Sequence, residues 1–391
     1  MIARPEILMT PGPTPVPPAV LTAQGEPLVY HRGPRYGALL SEVMDGIRWM
    51  LGTRNDVIVY SSSGTGGMEG AVANVTSPGE KVLVVSVGYF GHRFRTMCQR
   101  FGCDTTTLDY EWGKVSKADD IARALDENPE ITTVFIQHSE TSTGVCNDVE
   151  AAARVVKERG KLLVVDAISS AGALELKVDD WGIDVCIGGS QKALGATPGI
   201  AFVTVSEQAW EAHRSSTAPR FYWDWTAYKE AAGRKNAESP WTPAISVLQG
   251  MAASLRMARE EGLQQIWERH VLLGRACKAG AQALGLDLVG EDPERAHVVT
   301  AIRVPDGIND TDIVNLLRSK FRIVTGPGQG PFKGQVFRIG HLGWVEPLDV
   351  IRCWGALEIV LAELGHPVKF GAAVAAAEDV FRTQPGSSTV R

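Results

Sequence analysis

One phrase repeats along residues 57–206 and restricts the fold more than any other feature: a short β-branched run, a turn of small residues, then a helical pattern. The runs are VIVYSS (57–62), KVLVVSV (81–87), TTVFIQHS (132–139), KLLVVDAIS (161–169), DVCIGG (184–189) and IAFVTVS (200–206). Most lack the polar–apolar alternation of a one-sided sheet, so both faces must be covered. Between them lie helical stretches such as GGMEGAVANV, with Met68, Ala71, Val72 and Val75 on one face, and VEAAARVVKERG, which closes on basic residues and glycine. Alternating strands and helices predict a mostly parallel sheet in an α/β fold, with a ligand site at the carboxyl ends of the strands. Only SQKALGATPG separates the last two runs, too short for a covered parallel crossover, so one of them is expected to run antiparallel.

Beyond residue 245 the pattern changes. Helical sequence over 244–284 leads into a strand at 297–305 (HVVTAIRVP), a helix over 310–320, a strand at 334–341 (GQVFRIGH) and a final helix over 347–364. The expected division is a large domain over 21–245, then one long connecting helix and a small α/β domain over 246–391, with a frayed tail from residue 382.

The totals exclude several function classes. At 391 residues, 44% hydrophobic and 21% charged, the chain is neither disordered nor fibrous. Its 39 basic and 45 acidic residues include no basic block, so no nucleic acid or anionic lipid partner is expected and a small molecule becomes the default. Cys98, Cys103, Cys146, Cys186, Cys277 and Cys353 form neither CxxC pairs nor metal-type clusters; reduced thiols, a cytoplasmic setting and no metal are expected. The opening MIARPEILMTPGPTPVPP meets proline too early for a secretory apolar core, and no apolar run nears the ~20 residues that span a bilayer. The closing SSTVR matches no address motif.

Four residue groups fall where a ligand is expected. YSSSGTGGMEG (60–70) joins a strand to a helix, and its small residues either let backbone amides approach a phosphate or form a plain tight turn. It is no dinucleotide fingerprint, because Glu69 stands where the third glycine belongs, and no lysine follows for a Walker loop. Asp166 ends the apolar run of LLVVDAIS; it either caps or pairs structurally, or accepts a hydrogen bond from a protonated ring nitrogen of a heteroaromatic cofactor. Lys192 in IGGSQKALGAT is either a surface lysine or a desolvated amine, able to attack an aldehyde. Pyridoxal phosphate needs this set: a lysine for an imine, an acid for the pyridine nitrogen, and a small-residue cradle with Ser190 for the phosphate. Arg338 in QVFRIGH wants an anion, either a substrate α-carboxylate or the acid of a structural salt bridge.

Through these residues the chain resembles the class V aminotransferases among the fold type I pyridoxal-phosphate enzymes. Within them it is most similar to the alanine–glyoxylate, serine–glyoxylate and serine–pyruvate aminotransferase group. The likeness runs from LMTPGPTPVPPAVL through HSETSTGV, VVDAISSAGA, GGSQKALGATPG and PWTPAISVLQGM to FRIGHLG. It implies a large domain with a mostly parallel seven-stranded sheet covered by helices, plus a smaller C-terminal α/β domain. Position by position, it implies Lys192 as the imine lysine, Asp166 as the pyridine-nitrogen partner, and Ser63, Gly64 and Thr65 as the phosphate loop. Phe90 in GYFGHR would stack on one ring face and Ile168 pack on the other. Thr141 would bond near the ring hydroxyl, and Ser190 and Gln191 would face the phosphate.

Thr242 in WTPA resembles the residue that reaches the neighbouring subunit's phosphate, which implies a homodimer with active sites at the interface. Arg338 resembles the carboxylate clamp, and the backbone around Gly12, in an N-terminal segment over 1–20, resembles a pocket wall. Departures are Phe90 where many relatives have tryptophan or tyrosine, Thr65 where some have histidine, and Ser239 where some carry a phosphate-binding tyrosine. The intact Ser63-Gly64-Thr65 loop argues for tightly held coenzyme. The implied reaction moves an amino group from a small amino acid, alanine or serine, to glyoxylate or pyruvate by a ping-pong mechanism. Rival readings are a ureidoglycine–glyoxylate or 2-aminoethylphosphonate aminotransferase, a lyase or desulfurase, a non-catalytic homologue, and an NAD-dependent dehydrogenase. The loop VTGPGQGPFKG lacks the cysteine that a desulfurase needs, and the broken glycine fingerprint weighs against the dehydrogenase.

Overall fold

The computed structural model describes residues 5–383. Seven strands form the large sheet: β1 (Asp56–Tyr60), β2 (Lys81–Ser86), β3 (Asp104–Asp109), β4 (Thr133–Gln137), β5 (Leu162–Asp166), β6 (Val185–Gly189) and β7 (Ala201–Val205). Their spatial order is β1-β7-β6-β5-β4-β2-β3. β7 is antiparallel to both its neighbours, as the short link before it requires, and every other pairing is parallel.

The continuous apolar runs have a direct cause. Successive side chains of a strand point to opposite faces. Val57, Leu83, Val134, Leu163 and Cys186 enter one core with Tyr36, Ile47 and Met251. Their chain neighbours Ile58, Val82, Phe135, Val164 and Ile187 enter the other with Met68, Val72 and Phe94. Only β3 escapes the sequence reading. It is an edge strand paired with β2 alone, its residues DTTTLD are exposed or half-buried, and β-branched threonines rather than burial suit it to a sheet.

In the small domain, β8 (Val299–Arg303), β9 (Gly326–Pro327) and β10 (Val336–Gly340) form an antiparallel sheet in the order β8-β10-β9. Ile302, Phe337 and Ile339 pack there with Leu273, Cys277, Trp354 and Leu357 from the helices Leu263–Ala283 and Pro347–Glu363.

Three expectations need correction. The single connecting helix is two, Ile245–Glu261 and Leu263–Ala283, parted at Gly262, whose φ of 89° lies outside the helical range. The helix expected over 310–320 is α-helical only over Asp310–Leu316 and closes with a wider π turn, Leu317–Phe321. The helix at 347–363 is not the last, because Ala372–Thr383 follows, its inner face marked only by the buried Ala373 and Ala377. Arg382 and Thr383 therefore end a helix, while the rest of the expected frayed tail lies outside the described residues.

The N-terminal segment crosses between the domains. Ile7–Leu8 pairs in parallel with Ile323–Val324, and Gly340 N donates to Met9 O at 2.8 Å. That path carries Pro11 and Gly12 across the carboxyl ends of the large sheet.

Candidate active site

Lys192 follows β6 and reaches the N-terminal segment, where Nζ donates to Pro11 O at 2.6 Å. Burial is the main influence on this amine; Asp166 opposes it, Arg338 and Arg93 add to it, and the pKa falls to about 8. Gly12 makes room for the side chain. A Cβ there would lie 2.6–2.7 Å from Lys192 Cδ, Cε and Nζ, and its φ of 136° suits glycine alone.

Asp166 closes β5 and is 6% exposed. Burial pushes its carboxyl up to about 6; the Ile168 amide pulls against that, Glu140 reinforces it, and Lys192 and Arg93 oppose it. Ile168 N donates to Oδ1 at 3.0 Å, and among the described residues Oδ2 has no hydrogen-bond partner. The structural reading of this acid therefore accounts for one oxygen and leaves the other for a ligand.

The turn after β1 enters the helix Gly64–Val75 with Ser63 as its N-cap. Ser63 is exposed and its side chain does not cap, while Gly66 N and Gly67 N close onto Ser63 O at 2.9 and 3.4 Å. The amides of Gly64 and Thr65 remain without a protein partner among the described residues, at the positive end of the helix dipole. Gly64 lets this turn slide beneath Ile168, since a Cβ would meet Ile168 Cδ1 at 2.6 Å. Thr65 Oγ1 accepts from Arg93 Nη1 at 2.7 Å.

Phe90 sits half-buried in the first turn of the helix Tyr89–Arg100. Glu140, fully buried after β4, fixes that turn: Phe90 N and Gly91 N donate to its Oε2 at 2.9 and 3.2 Å. Ser142 N and Oγ donate to the other oxygen at 3.1 and 2.6 Å. Burial raises the Glu140 pKa, and the four converging donors pull it back down. Next to it, Thr141 is buried and its carbonyl accepts from Arg338 Nη1 at 3.0 Å.

Arg338, on β10, is 6% exposed. Its other partners are also neutral: Pro327 O for Nε and Nη2, at 3.0 and 2.8 Å, and Gln329 Oε1 for Nη1 at 3.1 Å. Burial lowers its pKa to about 10. Among the described residues it forms no salt bridge; the Glu140 and Asp310 carboxylates support its charge only from beyond hydrogen-bond reach.

Two expected phosphate contacts fare differently. Gln191 Oε1 is buried without a partner, an orphan that a bound group or a flip of the amide would resolve. Ser190 Oγ donates to Thr197 O at 2.7 Å and accepts from Ile200 N at 3.2 Å, so its one proton already braces the loop. Thr242 is exposed, and the turn it occupies meets the phosphate loop where Ala244 N donates to Ser61 Oγ at 2.8 Å. Ser239 is buried and bonded to Tyr36 Oη at 2.5 Å.

Sequence reasoning omits Glu140 and Arg93, although both share the field of Lys192 and Asp166. A groove of about 1290 Å³ bordered by His138, Trp181 and Trp267 contains none of the expected site residues. A lysine near neutrality, a carboxylate with a free oxygen, free helix amides and an aromatic ring together suit pyridoxal phosphate.

Comparison with known proteins agrees. Residues 8–330 match the class-V aminotransferase family. The small subunit of a soluble hydrogenase from Synechococcus sp. (strain PCC 6716) is 40% identical over 382 residues, 96% of this chain and 98% of that one. L-aspartate–glyoxylate aminotransferase from Paracoccus denitrificans is 36% identical over 381 residues, 96% of each chain. Among solved structures, the ureidoglycine–glyoxylate aminotransferase of Bacillus subtilis superposes with a TM-score of 0.93 at 30% identity, covering 98% of this chain and 100% of that one. With fold, site chemistry and kinship in agreement, the chain belongs to the class-V aminotransferases, pyridoxal-phosphate enzymes of fold type I.

Proposed function

We propose that this protein transfers the amino group of a small amino acid, alanine or serine, to glyoxylate or pyruvate in two half-reactions. The observation that carries the reading is Arg338, a buried cation with only neutral partners, in the same electrostatic field as the Lys192 amine. Pyridoxal phosphate, when bound, supplies an electron sink that acidifies the substrate Cα–H bond. Ser63, Gly64, Thr65 and Gln191 would hold its phosphate, with Thr242 reaching the phosphate of the neighbouring subunit; Phe90 and Ile168 would flank its ring faces and Thr141 the edge near the ring hydroxyl, while Ser190 braces the lysine loop instead. Asp166 keeps the ring nitrogen protonated through its free oxygen.

Lys192, with a pKa of about 8, can take a proton from the substrate Cα and return it nearby at little cost. Arg338 orients the α-carboxylate. Four of its five N–H groups face carbonyl oxygens, so a carboxylate takes the remaining Nη2 donor and competes with Gln329 for Nη1. A single clamp of this kind supports a donor with one carboxylate. Glyoxylate as acceptor is supported by the names of the Paracoccus and Bacillus relatives.

A homodimer is supported by the surface around Thr242: Phe221 is 76% exposed and stacks on Trp241 at 4.7 Å, an apolar patch that a second subunit would cover. Six buried free thiols support a reducing, cytoplasmic setting. Among the described residues no helix is long and apolar enough to cross a membrane.

Steady-state kinetics test the reaction. L-alanine or L-serine varied against glyoxylate or pyruvate should give parallel double-reciprocal lines, and Lys192→Ala should abolish turnover. Intersecting lines, or turnover retained by the variant, would end the assignment.

A further inference from the structure

The side chains and amides assigned to the cofactor phosphate, those of Ser63, Gly64, Thr65 and Gln191 with Thr242 from a neighbouring subunit, are all uncharged. A phosphate monoester carries about 1.5 to 2 negative charges at neutral pH, and a helix N-terminus offsets only about half of one. The site's two other cations have other work, Lys192 at the reacting carbon and Arg338 on the small domain against the Thr141 carbonyl. The phosphate thus lacks a counter-charge within the set that family likeness supplies.

Arg93 stands where one is needed. Its Nη1 donates to Thr65 Oγ1 at 2.7 Å, its guanidinium carbon lies 4.7 Å from the centre of the Phe90 ring, and among the described residues no carboxylate neutralises it. The arginine is the donor in the bond to Thr65, so the threonine's own hydroxyl proton stays free and points elsewhere. Arg93 lies one turn after Phe90 on the same helix, whose first turn Glu140 pins through the Phe90 and Gly91 amides. One rigid segment therefore presents both a ring-stacking face and a cation to the same ligand.

We propose that Arg93 is the counter-charge of the cofactor phosphate, bonding a phosphate oxygen beside the Thr65 hydroxyl and the Gly64 and Thr65 amides. The inference rests on pyridoxal phosphate being the cofactor. A charge-assisted bond of this kind adds both affinity and salt dependence. It also separates the two arginines by role: Arg93 serves the cofactor and Arg338 the substrate.

The test compares two ligands that differ only in the phosphate. Cofactor-stripped full-length protein, wild type, Arg93→Lys and Arg93→Gln, is titrated with pyridoxal phosphate and with pyridoxal, following absorbance. Arg93→Gln should weaken pyridoxal phosphate about 10- to 100-fold while leaving pyridoxal unchanged, and Arg93→Lys should recover part of the loss. Equal weakening of both ligands would show that Arg93 acts only by supporting Phe90. Unchanged affinity with a selective loss of turnover on L-aspartate would make it a substrate clamp instead. Either result overturns the proposal, and wild-type protein that binds neither ligand would overturn the cofactor assignment itself.

Discussion

Lys192 is half-buried and Lys278 buried, and in both the loss of solvent is the main cause that lowers the pKa to about 8. Surroundings separate them. Lys278 donates to Pro293 O and lies 3.4 Å from His297 Nδ1, whereas Lys192 shares its pocket with Asp166 and Arg338. Asp166 shows what the site costs the fold. Its folded-state pKa of about 6 exceeds the usual 3.8, so its contribution to stability is present at low pH and is lost as pH rises through 6. At neutral pH the buried charge opposes folding by up to about 3 kcal/mol. Cofactor-free Asp166→Asn should therefore melt higher than cofactor-free wild type at pH 7, while its holoenzyme loses about 10²–10³-fold in kcat; thermal scans and rate assays check both. Asp166, Lys192 and Arg338 were legible in sequence because each is a charge set in apolar text. Glu140 stands in the polar turn HSETSTGV and Arg93 in the mixed text YFGHRFRTMCQR, where nothing contrasts with them.

At the scale of elements, hydrophobic text marks what is buried and is silent about what is not. That is why six strands were readable, the buried margin strand β1 among them, while the half-exposed β3 at the opposite margin was not. The helix Ala372–Thr383 hides for a similar reason: its packing face is alanine, which contributes little apolar contrast. The break between Ile245–Glu261 and Leu263–Ala283 rests on a single residue, Gly262, with φ of 89°. Gly262→Ala should destabilise the protein by about 1 kcal/mol or more, through strain at positive φ, without changing cofactor affinity. Denaturant unfolding and a cofactor titration check the two halves of that statement. An unchanged midpoint would mean that the junction relaxes into one continuous helix.

Across the whole molecule, five histidines are held neutral. Burial, the leading cause in each, lowers His138, His213 and His297 to about 4 and His270 to about 3, and moves His341 well below 6.5. Below pH 6.5 the unfolded chain takes up protons that the folded chain refuses, so stability falls as pH drops from 6.5 towards 4. Each histidine contributes a slope of up to about 1.4 kcal/mol per pH unit in that window, and the two carboxyls that burial raises, Asp166 and Glu140, oppose the five histidines but are fewer. Denaturant midpoints should fall steeply between pH 7 and pH 5; a level profile over that range would contradict these burial assignments. Fold and candidate site were legible from one contrast, charge against apolar text. The charges that stand out this way are Asp166 at the end of β5, Lys192 just beyond β6 and Arg338 within β10. The most direct measurement is borohydride reduction of the holoenzyme followed by peptide mass mapping. A phosphopyridoxyl group on Lys192 alone is the expected result, and the label on Lys278, or on no lysine at all, would contradict it.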